Sequence, residues 1–153
     1  MIRSIPFTLG ALLLVGVSYS AAMGASAPDD RLTPGAIVSH SSAEVCTGGP
    51  GDYSHTHRVW RDKANALARY GIPLSQRYLF EDDDRVPVCL GGDNADPRNH
   101  WPQPWHDARE KDQLEAWACH AVCDSHTMPL AKAQALFLAD WRTAYLRVFG
   151  TAP

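Results

Sequence analysis

Residues 81–105 read EDDDRVPVCLGGDNADPRNHWPQPW, and this stretch decides the fold. Four acids, Glu81, Asp82, Asp83 and Asp84, run into a short apolar segment. A Gly91-Gly92 turn follows, then a polar loop holding Asn99, His100, Trp101 and Trp105. Val86 and Val88 favour extension, so residues 84–90 predict a strand. Pro87 has no N–H to give a ladder, which confines that strand to an edge or to one arm of a short hairpin. Residues 93–104, with Pro97, Pro102, Pro104 and several Asn and Asp, predict structured loop.

On either side the sequence reads as helices. Val59, Lys63, Ala66, Leu67 and Tyr70 recur at helical spacing over 57–70, Gly71 stands where a left-handed cap belongs, and Pro73 blocks continuation. Residues 72–80 are a connector with apolar anchors. Over 105–123, Leu114, Trp117, Ala118, Ala121 and Val122 form an apolar stripe, with Asp107, Glu110, Lys111, Asp112 and Glu115 on the opposite side. A last helix starts near Pro129 and carries Ala133, Phe137, Trp141, Ala144, Tyr145 and Val148 to Phe149, with Gly150 ending it. The expected fold is α+β and mainly helical, with a short ββα-like hairpin at 84–100 packed against three helices.

A chain of 153 residues holds one domain with a single core. Its start has the layout of a secretory signal peptide: Arg3, an apolar run over 5–17, then small residues around Ala21-Ala22-Met23-Gly24. The run falls short of the ~20 residues of a membrane span. Cleavage is expected after Gly24, leaving no membrane segment; cleavage after Ala27 or an uncleaved anchor are the alternatives. Residues 25–45 are small, polar and without period, and predict a flexible N-terminus before a domain over 46–150. Export implies a periplasmic or secreted protein.

Losing residues 1–24 removes one cation, Arg3, from the 14 Lys and Arg set against 17 Asp and Glu, so the mature chain is more acidic than the −3 of the whole. Nucleic-acid binders carry basic patches, and the acidic balance argues against such a partner. Cys46, Cys89, Cys119 and Cys123 form an even set, which in an exported chain points to two disulfides. Cys119 and Cys123 lie one helical turn apart, where direct pairing would distort the helix. The expected pairing is Cys46–Cys123 with Cys89–Cys119; the swapped pairing is the alternative. A four-cysteine zinc site would show close CxxC pairs, and none occurs.

The strongest candidate for chemistry is Asp84 with the loop behind it: a carboxylate suits a hard divalent cation, and an amide such as Asn99 suits orienting a second group. Residues Asp84-Arg85-Val86-Pro87-Val88-Cys89-Leu90-Gly91-Gly92 and Asn99-His100-Trp101-Pro102-Gln103-Pro104 resemble the HNH, or ββα-metal, endonuclease superfamily. More closely, they are similar to small exported bacterial proteins with a DH-x-x-P-L-x-L-G-G…N-L-W-P-x-P variant of its motif. The likeness extends through Ala108, Lys111-Asp112, Leu114-Glu115, Val122-Cys123 and Asp140-Trp141, and so over most of the mature chain.

The resemblance implies metal-dependent phosphodiester hydrolysis with magnesium or zinc. Asp84 would bind the metal, Asn99 would orient the base, and Arg85 would hold the phosphate. With Arg85 paired to the motif's histidine, the general base is missing, because a guanidinium stays protonated. The motif's later metal-binding histidine has no clean counterpart; His106 and Asp112 are the substitutes taken here, beside His120 and Glu115. The resemblance therefore implies a degenerate site, or a non-catalytic binding or structural protein on the same scaffold. A purely structural reading has Asp84 paired with Arg85, Asn99 capping a turn, and Trp101 and Trp105 plugging the core. His55 and His57, two apart before the first helix, form an alternative metal or base site. No G-x-S-x-G elbow, phosphate loop or dinucleotide fingerprint occurs.

Overall fold

A computed structural model describes residues 27–47 and 58–152, with side chains of the first helical turn and a half, 58–62, left aside. The expected signal peptide at 1–24, residues 48–52 and both His55 and His57 lie outside the described residues. The elements run α1 (Ser42–Cys46), α2 (Arg58–Arg69), a 3-10 turn at Leu74–Leu79, β1 (Phe80–Asp84), a 3-10 turn at Val88–Leu90, β2 (His100–Pro104), α3 (Trp105–Cys123), α4 (Leu130–Leu138) and α5 (Trp141–Phe149). The fold is α+β and about half helical, as the sequence implies.

The two strands pair antiparallel in the register Phe80↔Pro104, Asp82↔Pro102 and Asp84↔His100. They stand outside the stretch where strand was expected. Residues 85–99 form the long connection between them, and Val88–Leu90 coils into a 3-10 turn. Pro87 explains the shift, since a strand through it would lose a ladder bond. Conversely, Pro102 and Pro104 do not keep residues 100–104 out of the sheet, because a two-stranded sheet consists of edges.

Side chains alternate across the hairpin. Phe80 packs with Leu67 of α2 and Ile72 in a small core on one face. On the other face Asp83 meets Lys111 of α3. The main core gathers Val86 and Leu90 from the connection with Leu114, Ala118 and Val122 of α3 and Leu130, Phe137, Trp141 and Tyr145 of α4 and α5. The single C-terminal helix expected from periodicity is two. Asp140 breaks it by accepting the Arg142 backbone N–H (3.1 Å) and the Thr143 hydroxyl (2.6 Å), which caps α5.

Residues 27–45 are fixed to the body rather than flexible. The Thr33 hydroxyl donates to the His100 carbonyl (3.0 Å), and Ile37 bridges to Gly92. Gln134 of α4 donates to the carbonyls of Ser39 (3.0 Å) and Leu90 (2.8 Å). Disulfides join Cys46 to Cys123 and Cys89 to Cys119, the expected pairing. Two such bonds fit an oxidising compartment. Among the described residues no helix is long and apolar enough to cross a membrane.

Gly92 is forced by close approach: a Cβ there would run into the Val86 carbonyl and press the Asn99 amide. Gly92→Ala is expected to lower unfolding free energy by ~3 kcal/mol or more. Urea denaturation with a tryptophan fluorescence readout checks it, and a change under 1 kcal/mol would contradict the packing described.

Candidate functional site

Β1 brings four consecutive acids against the body of the protein, and each face neutralises them differently. Asp82 and Asp84 share one face with His100, which lies opposite Asp84 in the register. The His100 Nδ1 is 3.5 Å from Asp82 Oδ2 and 3.9 Å from Asp84 Oδ1. Its Nε2 donates to the Asn94 carbonyl at 3.0 Å. Both ring nitrogens therefore face acceptors, the arrangement that suits an imidazolium. Burial alone would lower the imidazole pKa, but the neighbouring Asp82 and Asp84 carboxylates and the Asn94 carbonyl carry it up to about 9. Burial pushes Asp84 up to about 7; the repulsion of Asp83 and Asp82 adds to this, and His100 opposes it.

Asn99 fixes the same corner. Its amide oxygen accepts the Val86 N–H (2.9 Å), and its Nδ2 donates to the Val86 carbonyl (3.0 Å) and to Asp84 Oδ1 (3.0 Å). It is fully buried and closes the 85–99 connection while aiming one carboxylate. Asn99 thus holds the Asp84 carboxylate. Counted back from Pro87, the DH-x-x-P pattern that the sequence resembles would set its Asp-His pair against Asp83-Asp84, one residue earlier than Asp84-Arg85.

Arg85 points elsewhere. Only 5% of it is exposed, and its Nη1 donates to Asp30 (2.5 Å) and the Thr33 carbonyl (2.6 Å) while Nη2 donates to the Leu138 carbonyl (2.5 Å). It ties the N-terminal segment to the end of α4 and does not pair with Asp84. Trp101 is a core plug, whereas Trp105 is 52% exposed under the Lys63 ammonium, 5.7 Å from its ring centre.

The opposite face holds a group that helical periodicity assigns to solvent. Lys111 is 1% exposed, and its three N–H bonds go to Asp83 Oδ2 (2.8 Å), the Asp84 carbonyl (2.7 Å) and Glu115. Burial works against this ammonium, yet Asp83 and Glu115 raise its pKa above the usual lysine value. Burial and carboxylate repulsion raise Asp83 and take Glu81 and Glu115 to about 7. Asp107 is likewise buried, against Arg142 of α5. The sequence signal for Lys111 was available in the acids of β1, which require cations from another element.

His106 and Asp112 are exposed on α3, and His106 lies 4.0 Å from Asp107 rather than beside Asp84. Among the described residues no group of three or more His, Cys, Asp or Glu side chains is placed to hold a metal ion. The set Asp84, His106, Asp112 is not brought together. His120 pairs with Asp124 at 2.9 Å on the exposed end of α3. The chain matches no protein-family model, and comparison with curated proteins and with solved structures returns no match.

The charges set a direction for stability. His100, Asp84, Glu81 and Glu115 all have folded pKa values above their ordinary ones, so folding favours their proton-bound forms. The acids lose stability as pH rises from about 4 through about 7, and the His100 contribution is lost as pH rises from 6.5 through about 9. Thermal melts should show Tm falling by ~5–10 °C between about pH 5 and about pH 9. His100→Gln should flatten the alkaline part of that slope. A Tm that climbs over the same interval would refute the assignment.

Proposed function

We propose that the chain is an exported, HNH-nuclease-like protein whose active site is degenerate, so that it serves as a non-catalytic binding or structural protein. One observation carries this reading: the His100 imidazole stands between Asp82 and Asp84, with Nδ1 3.5 Å and 3.9 Å from their carboxylate oxygens, and so occupies the space beside the carboxylate that the resemblance would give to a metal. The two carboxylates beside Nδ1 and the carbonyl on Nε2 favour the doubly protonated imidazole, which has no lone pair for a metal. The residues present therefore do not fit a magnesium or zinc ion at this corner.

Two further features support it. Asp84 stands at the position of the motif's general base, held by Asn99 as that base would be, but ion-paired to His100 instead of facing an open site. Arg85, the group expected to hold a phosphate there, is bound to Asp30 and two carbonyls on a different side of the connection. The acidic net charge adds a general repulsion for nucleic acid. The disulfides suit a periplasmic or secreted location.

The alternative reading is residual metal-dependent phosphodiester hydrolysis through Asp84. Incubating oxidised protein with plasmid DNA and with RNA under magnesium, manganese or zinc separates the two. Wild type is expected to leave both substrates intact and to show no metal-dependent thermal shift. The double variant Asp84→His/His100→Leu, which restores the motif's residues at both positions, is expected to gain a manganese-dependent shift. Cleavage by wild type that disappears in Asp84→Ala would overturn the proposal.

A further inference from the structure

Four of the seven large apolar side chains that stand exposed among the described residues belong to one end of the hairpin. Leu74, Tyr78 and Leu79 are in the 3-10 turn that feeds β1, and Trp105 follows β2 directly. Because Phe80 pairs with Pro104, Leu79 and Trp105 hold neighbouring positions where the ladder ends. Tyr78 is 70% exposed and Leu74 55%. Several such groups left in water together mark an interaction surface, whereas single exposed ones do not.

Charge indicates what this surface meets. In a chain with 17 acids, residues 63–80 contain none, while Lys63, Arg69 and Arg77 fall within them. Arg69 is turned inward to the carbonyls of Leu32 and His100. Lys63, by contrast, sits over the Trp105 ring, and Arg77 lies in the same turn as Leu74 and Tyr78. On α3, Arg109 is exposed one helical turn after Trp105. Of the described acids beside this surface, Asp107 is buried against Arg142, and Glu81 and Glu110 are half-buried. The apolar face therefore has a cationic rim on a protein that is acidic overall. Its complement is an apolar phase with an anionic surface.

We propose that this face is a peripheral contact for an anionic phospholipid bilayer. Tyr78, Leu79 and Trp105 enter the boundary between headgroups and acyl chains, where Trp and Tyr rings are favoured, with Leu74 beside them. Lys63, Arg77 and Arg109 meet the lipid phosphates, and each cation near such a surface strengthens binding several-fold. A nucleic acid would use the cations and the rings but leave Leu74 and Leu79 in water; a bilayer takes up both. The face lies at the opposite end of β1 from Asp84 and does not depend on the nuclease-like reading.

The test is flotation of the oxidised protein with vesicles of phosphatidylglycerol and phosphatidylcholine, against phosphatidylcholine alone, with brominated acyl chains to quench tryptophan. Binding is expected to the anionic vesicles, to weaken with salt, and to bring quenching that is largely lost in Trp105→Phe. Tyr78→Ser/Leu79→Ser and Arg77→Gln/Arg109→Gln are each expected to weaken binding at least about tenfold. Their Tm should stay that of wild type, since all four side chains are exposed. No binding to anionic vesicles overturns the proposal. Quenching that persists in Trp105→Phe overturns it too, because the contact then comes from another part of the chain. A single-stranded oligonucleotide that displaces the vesicles and quenches Trp105 reassigns the face to nucleic acid. A dimer in lipid-free solution that Tyr78→Ser/Leu79→Ser dissociates reassigns it to a second copy.

Discussion

Four consecutive acids on one strand, Glu81 to Asp84, can be brought into a protein only if other elements supply cations. That constraint governs the arrangement of the rest. Lys111 reaches from α3 to Asp83, and His100 reaches across from β2 to Asp82 and Asp84. The hairpin is thus held on each face by a charge that neither strand periodicity nor helix periodicity would place inside. Breaking such a pair leaves a buried charge alone, at a cost of about 3–5 kcal/mol. The tryptophan and aliphatic core fills space around this frame.

The resulting corner sets a buried carboxylate against a buried imidazole. Asp84 and His100 face each other with folded pKa values of about 7 and about 9, both raised. Near neutrality the pair holds its charge without an external ion. The acid sits at the end of β1 and the histidine opposite it on β2, so the contact is made across the hairpin.

Much of this was legible in residue order. The helices at Arg58–Arg69 and Trp105–Cys123 and the positive φ of Gly71 and Gly150 at helix ends follow from period and capping; cysteine spacing gives two disulfides and excludes Cys119–Cys123, while the choice between the two remaining pairings comes from the fold. The strands did not, because their acids and prolines are poor strand formers and only cross-strand neighbours make them favourable. The break at Asp140 was hidden by an apolar period that runs through it, although Asp140 is itself a strong N-cap. Residues 27–45 looked flexible because their ties are hydrogen bonds to backbone from Thr33, Arg69, Arg85 and Gln134, which leave no hydrophobic pattern. The hydrogen bonds of Asn99 to Asp84 and Val86, and the burial of Arg85 against Thr33 and Leu138, depend on long-range packing that residue order does not display.

The wrapping of the N-terminal segment also bears on the order in which the chain can acquire structure. Asp29, Leu32 and Thr33 find partners at Tyr70 and Arg69, Asp30 at Arg85 and Ser39 at Gln134, so the segment is tied to residues spread over the middle and the end of the chain. Such long-range closure slows folding relative to helices that pack with their neighbours. Closure of the N-terminal segment therefore carries a large share of the sequence separation bridged by the fold.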